Sequence, residues 1–336
     1  MSVVGCTVHK CILLTGAGAS WSFGGLLGAE FRERLFNRVQ VQARSRIRDL
    51  LIAEPLFEEA LGIARTKPGY DAEDNAAIES AITEVFAEMD RDIADHHHWR
   101  GAPVDANQYR KFLQRFQAPA SDGKKAASFV FTLNQDLLLE RVWYSDNHGV
   151  RPKHHPGIPP AKHNRWFQTS IGDYRAEMVS VIPANPSLEL APYTNYIKLH
   201  GSINWKAGDG ANALVIGTGK PEQIARFPIL EQYHQIFQQV LLTRGARILI
   251  HGYSFQDEHI NRKLSDACRT SDLQVYLWDT RGMDLLYCIS RRADCLGVDE
   301  RIRATWSAPM SEVFPASQSE TSLWREIRDK FFQTAY

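Results

Sequence analysis

Strands alternating with helices predict an α/β fold: a Rossmann-like parallel sheet with helices on both faces, plus a helical insertion. Two observations lead there. Short apolar, β-prone segments at 11–15 (CILLT), 127–133 (ASFVFTL), 195–199 (NYIKL), 246–251 (ARILIH) and 273–278 (LQVYLW) are separated by stretches whose apolar residues recur at three and four. Glycine and polar residues cluster directly after these segments: Gly16 to Ser20, Asn134 to Asp136, His200 to Asn204, Gly252 to Asp257, and Asp279. In an open α/β sheet the carboxyl ends of the strands line one crevice, the usual ligand site.

The elements follow in order. CILLTGAGAS is a strand entering a glycine turn, and LLGAEFRERLFNRV after it has helical spacing. Residues 43–117 hold three or four further helical patterns and no convincing strand. The longest places Ile78, Ile82, Val85, Phe86, Met89 and Ile93 on one face, with Glu73 and Asp74 at its acidic start. ASFVFTLN is the second strand, and a helix resumes near Leu137. Residues 146–195 are rich in proline, histidine and aromatics and read as irregular, with short strands expected around AEMVSVI. NYIKLHGSINW reads as a strand ending in polar residues and ALVIGT as a short strand. Two helix–strand units follow, PILEQYHQIFQQVLLTR with ARILIHGYSF and DEHINRKLSDAC with LQVYLWDT, before helical stretches at SEVF and SLWREIRDKFF. The expected organisation is one domain over 1–336, with a helical insertion at about 40–120 and an irregular one at about 146–195.

Composition narrows the function classes. Thirty-nine basic and 39 acidic side chains leave no net charge, so nothing favours bulk attraction to nucleic acid or an anionic membrane. No apolar run reaches the ~18 residues that span a bilayer, and the N-terminus lacks signal-peptide features, so a cytoplasmic protein is expected. Five cysteines without a CxxC pair argue against a disulfide framework or a four-cysteine zinc site. Consecutive His96, His97 and His98 cannot all face one ion. These, and His148, His154, His155 and His163, are expected to be structural or solvated, and no metal is expected. The basic stretch RPKHHPGIPPAKHNR is expected to be a loop over the cleft or a subunit contact rather than a nucleic-acid site.

The strand-end clusters carry the chemistry. Glycines in TGAGAS allow a tight turn and close backbone approach to a pyrophosphate, although Trp21 replaces the third glycine of the dinucleotide fingerprint. Asn134 offers an uncharged carbonyl and two donors. His200 is a candidate base, with an ordinary value near 6.5. Asp257 is placed to cap a helix, and Asp279 to accept a ribose hydroxyl hydrogen bond.

Together these segments resemble the sirtuin family, and more closely its bacterial defence-associated branch than its protein deacylases. GAGAS is similar to the family's phosphate loop, which assigns cofactor contacts to Gly16, Ala17, Gly18, Ala19 and Ser20. TLNQD is similar to its T-x-N-x-D motif, giving Thr132, Asn134 and Asp136. LHG is similar to the catalytic-histidine motif, giving His200 and Gly201. GYS is similar to the later cofactor loop, giving Gly252 and Ser254, and Asp279 stands where the family holds the adenosine ribose. The chain lacks the deacylase G-I-P-D-F-R segment, having GGLLGA there, and lacks the four-cysteine zinc module.

The resemblance implies hydrolysis of NAD at the nicotinamide–ribose bond, with Asn134, His200 and Asp136 catalytic, and a role in anti-phage defence through NAD depletion. Deacylation or ADP-ribosyl transfer is the first alternative, and a non-catalytic NAD- or ADP-ribose-binding scaffold the second. With no room expected for a sensor domain, the resemblance implies control by homo-oligomerisation or by a partner such as a HerA-type ATPase or an Argonaute-like protein.

Overall fold

Alternate residues of each central strand enter opposite faces of the sheet, and each face is buried. The computed structural model describes residues 7–39, 45–96, 103–117, 126–144, 155–158, 179–188, 190, 194–317 and 320–332. Its strands are β1 (Thr7–Thr15), β2 (Ala126–Thr132), β3 (Ser180–Val181), β4 (Thr194–Lys198), β5 (Gly201–Lys206), β6 (Asn212–Leu214), β7 (Arg247–His251), β8 (Gln274–Trp278) and β9 (Ile302–Trp306). Six of them form a parallel sheet in the order β4-β2-β1-β7-β8-β9. The short β3, β5 and β6 form a second sheet.

Helices α1 (Gly18–Trp21), α2 (Gly28–Arg38), α3 (Ser45–Ala53), α4 (Phe57–Thr66), α5 (Ala72–His96), α6 (Ala106–Gln114) and α7 (Leu138–Tyr144) precede β3. They are followed by α8 (Lys220–Ala225), α9 (Pro228–Leu241), α10 (Glu258–Thr270), α11 (Met283–Ile289), α12 (Met310–Val313) and α13 (Ser322–Phe331). Leu13, Val130, Leu249 and Trp278 pack into a core shared with α2–α7, α12 and α13. Their strand neighbours Ile12, Leu14, Phe129, Phe131, Ile248, Ile250 and Leu277 pack into the opposite core with α8–α11. Period-two alternation of apolar residues on both faces explains why these strands read as continuous apolar runs.

The strand order reverses direction between β1 and β7. From β1 the chain builds outward through β2 and β4; it then returns to the other side of β1 and builds outward through β7, β8 and β9. This is the topological switch point, where the loops leaving two adjacent strands diverge and leave a crevice. Here they also touch. Gly16 N–H donates to His251 O and Gly18 N–H to Gly252 O, both at 2.9 Å. A Cβ on Gly252, whose φ is +65°, would lie 2.3 Å from Ala19 N and 2.5 Å from Gly18 C. One on Gly16 would lie 2.7 Å from Gly252 O. The glycines therefore permit backbone-on-backbone packing that no other residue fits.

A buried polar group fixes the neighbouring strand end. Lys198, the last residue of β4, donates to Glu140 Oε1 at 2.9 Å and to the backbone carbonyl of Asp136. Tyr196 Oη donates to Glu140 Oε2 at 3.1 Å. Burial by itself raises the Glu140 carboxyl; the Lys198 charge and the His155 hydrogen bond outweigh it and bring the group down to about 2. On the same helix, Arg141 pairs with Asp90 of α5 at 2.7 Å.

Several sequence expectations change. NYIKLHGSINW is two strands in different sheets, because Gly201 turns the chain at φ +72° and its missing Cβ clears Ala213 O. Strand β9 and helices α8 and α11 were not foreseen; β9 is a sheet edge on which only Trp306 is buried, so its alternation is weak. Helices α3–α6 occupy the stretch expected to be helical. Of the expected AEMVSVI strand only Ser180–Val181 pairs, and the rest of 159–178 lies outside the described residues. So do Cys6, His97, His98, His148, His154, His163 and the side chain of His96. The described cysteines are free thiols, and no described helix is long and apolar enough to cross a membrane.

Two stability outcomes follow. Lys198→Ala takes the lysine cation from buried Glu140, so the expected cost is about 3–5 kcal/mol; Lys198→Met with Glu140→Leu should recover most of it. Denaturant unfolding of the three proteins checks this. Because the folded Glu140 value lies below its unfolded value of about 4.3, its contribution is present above that pH and is lost as pH falls toward about 2. Gly252→Ala combines a left-handed backbone with an overlap against Ala19, an expected loss of about 2–4 kcal/mol that a lowered unfolding midpoint would register.

Candidate functional site

The loops at the switch point surround a cavity of about 590 Å³, within the range of small-molecule sites. Gly16, Ala17, Gly18 and Ser20 reach it from the end of β1, and Asn134 and Asp136 from the end of β2. His200 comes from the turn after β4, Gly252 and Ser254 from the end of β7, and Asp279 from the end of β8. Ala19, Thr132 and Gly201 do not line it. Ala19 is buried beneath the glycine turn, with its N–H donating to Gly16 O at 2.9 Å. Thr132 Oγ1 accepts from Thr15 Oγ1 at 2.8 Å and from Asn134 N–H at 3.1 Å. Gly201 serves the turn described above. These three position their neighbours.

The three polar residues after β2 have separate tasks. Asn134 Nδ2 donates to Gly16 O at 3.0 Å and to Ser20 Oγ at 3.1 Å. Since Gly16 O can only accept, the amide orientation is fixed. Both Asn134 donors are engaged within the protein, and its carbonyl oxygen is the group left for a ligand. Gln135 Nε2 donates to Val215 O at 2.8 Å and its backbone carbonyl accepts from Ile203 N–H at 3.1 Å, tying the loop to the second sheet. Asp136 Oδ1 accepts from Leu138 N–H at 3.0 Å, at the start of α7. Burial holds the Asp136 carboxyl above the usual range, with the Lys198 charge acting against it.

His200 is 2% exposed. Its Nε2 lies 3.0 Å from His259 Nε2. The ordinary histidine value does not apply: burial, then the charges of Lys220, His259 and His234, push it well below, with donation to Leu133 acting the other way. The imidazole is neutral at physiological pH and keeps a lone pair on one ring nitrogen.

No local sequence pattern announces the ion pairs at the rim. Lys220, at the start of α8, donates to Glu58 of α4 at 2.8 Å and to Asp257. Asp257 precedes α10 as foreseen, but its side chain makes no capping hydrogen bond; it serves Lys220 instead. Arg281 Nε binds Asp279 Oδ1 at 2.8 Å and Nη2 binds Oδ2 at 3.1 Å. Phe255, buried in the loop after β7, takes φ +58° and is held there through Asn261 Nδ2, which donates to its carbonyl at 2.8 Å. His200, Asp257 and His259 each offer a ligand atom, all within 4.8 Å of one another. No metal was expected from the cysteine and histidine patterns of the sequence, in which His200 stands far from Asp257 and His259.

Amides of the glycine turn are largely engaged within the protein. Those of Gly16, Gly18, Ala19 and Ser20 donate to His251, Gly252, Gly16 and Ala17 carbonyls respectively. Helix α1 is a single turn rather than a long helix. The turn therefore offers close approach more than a full cradle of amide donors.

A family model described as SIR2-like domain matches residues 128–296. A search of curated proteins gives no match to the chain. The matched span holds every strand-end cluster from Asn134 to Asp279, and the glycine turn outside it packs directly on Gly252 within it. With half of the sequence covered in this way, the protein belongs to the SIR2-like domain family.

Proposed function

We propose that the protein is an NAD glycohydrolase that cleaves the nicotinamide–ribose bond and acts as an effector of anti-phage defence by depleting NAD. Membership of the SIR2-like family supports an NAD-dependent enzyme. The observation that carries the finer reading is Asn134: its two donors are fixed on Gly16 and Ser20, which leaves an uncharged carbonyl oxygen uncommitted on a residue that lines the same cavity as His200.

Cleavage breaks the bond between ribose C1′ and the nicotinamide ring nitrogen. The bonding pair leaves with the ring and discharges its positive charge, and the ribose becomes oxocarbenium-like. The Asn134 carbonyl dipole stabilises that charge and orients a water. The water oxygen bonds to C1′, and its proton passes to the neutral imidazole of His200. Asp136 keeps α7 and the Asn134 loop in register, and Asp279 accepts from the adenosine ribose. Phosphates approach at the glycine turn.

The absent four-cysteine module counts against deacylation. Transfer of ADP-ribose to an acceptor other than water uses the same bond cleavage. Control by self-association or by a HerA-type ATPase belongs to the same proposal.

Purified protein incubated with NAD is expected to release nicotinamide and free ADP-ribose without any peptide; binding with no turnover would overturn the glycohydrolase reading. Asn134→Ala is expected to lower the cleavage rate by about 10²-fold or more while the thermal unfolding midpoint stays close to wild type. His200→Ala should lower the rate more than it weakens NAD affinity, because a proton acceptor acts mainly in the transition state. Single-turnover rates and calorimetric affinities separate the two effects, and equal losses in both would assign His200 to binding.

A further inference from the structure

Behind the cavity wall at His200, side chains from two separate segments converge. His200 follows β4, whereas Asp257 and His259 flank the start of α10. Their nearest ligand atoms lie within 4.8 Å of one another, and the two Nε2 atoms are 3.0 Å apart. Each ring turns its Nε2 toward the other, and so toward the space that a shared ion would occupy. Asp257 is also supported from behind, by Lys220 on Oδ1. A carboxylate has a second oxygen to offer while the first keeps its partner.

We propose that His200, Asp257 and His259 bind a divalent transition-metal ion of the zinc class, and that the bound ion silences His200 by occupying its Nε2 lone pair. Two imidazoles and one carboxylate form a known type of zinc donor set, with a fourth position left for water. Zinc–nitrogen distances of about 2.0–2.1 Å in a tetrahedral site separate two nitrogens by roughly 3.3 Å. The histidine pair therefore opens by a few tenths of an ångström, and Asp257 closes the remaining gap by side-chain rotation. Without an ion, one ring must place a proton between the two nitrogens. The ion replaces that proton, and the ring that carried it shifts to its Nδ1–H tautomer. Local charge also fits. Lys220 lies between Glu58 and Asp257, leaving one net negative charge beside two neutral imidazoles.

Ion binding stands independently of the NAD reaction, whereas the silencing rests on the glycohydrolase reading. The test uses the full chain freed of metal with EDTA. Titration with Co²⁺, followed by its visible ligand-field bands, and with Zn²⁺ by calorimetry should each show one ion per chain. His259→Phe should weaken both by at least about tenfold, and so should Asp257→Asn. His259→Gln and circular dichroism separate loss of a ligand from loss of fold. In the wild type, Zn²⁺ at the concentration that fills the site should lower the NAD cleavage rate at least tenfold, with recovery on adding EDTA. His259→Phe should resist that inhibition.

Absence of binding in the wild type, or unchanged binding in a folded His259→Phe, overturns the site. Saturation with Zn²⁺ at an unchanged cleavage rate overturns the silencing. Normal ion binding by a protein that never cleaves NAD fails the glycohydrolase reading and upholds the site.

Discussion

Everything at the site depends on one steric constraint: two loops from adjacent parallel strands cross at van der Waals distance. Gly16 and Gly18 leave β1, Gly252 leaves β7, and no Cβ fits at any of the three. Because the crossing occurs at the switch point, it sets where the cavity begins and how deep a ligand can reach. The same crossing turns Gly16 O toward Asn134, whose amide then has one possible orientation. A backbone contact is thereby converted into the direction of a side-chain dipole. That is a rigid way to aim a group, since neither the glycine turn nor the loop after β2 can move without the other.

The second support is electrostatic and lies one strand away. Lys198 and Glu140 are removed from water together, and Lys198 also takes the Asp136 carbonyl. A buried pair of this kind often adds little net stability over a hydrophobic replacement, although breaking it costs much. Its position suggests what it supplies instead: the polar loop after β2 needs a buried donor for a carbonyl that cannot reach water, and β4 ends where that donor can be provided. Stability and site geometry therefore share residues here, and a variant that harms one will tend to harm both.

Much of this was legible in the sequence because strand ends are local signals. Apolar runs closing on glycine, asparagine or histidine mark the carboxyl edge of the sheet, and five of these clusters do meet in or beside one cavity. What local pattern does not carry is which loop touches which. Glu58 sits on an ordinary amphipathic helix, and nothing in its neighbours announces that Lys220 and Asp257 will meet it. His259 stood within a motif already noted, yet only the fold brings it to His200. The assumed ordinary basicity of His200 failed for a related reason: burial and nearby cations are properties of the packed state. Gly201 and Thr132 belong to the recognised motifs but hold the turn and the loop rather than the cavity surface. Strand β9, half-exposed at a sheet edge, shows too little alternation to be read in advance.

Charge in the cavity sets a condition on any anionic ligand. Its lining cations Lys220 and Arg281 each already hold carboxylates, and the glycine-turn amides are mostly engaged. A dinucleotide with two phosphates therefore gains little from simple addition of charge. Exchange is less costly: when a phosphate oxygen replaces a carboxylate oxygen on a guanidinium, the number of charge-assisted hydrogen bonds is unchanged. Arg281 is the half-exposed member of its pair with Asp279 and can turn without breaking into the core. Under the proposed reading, transfer of Arg281 to a phosphate would free Asp279 to accept a ribose hydroxyl. The pair that lines the cavity would then become two separate contacts with one ligand.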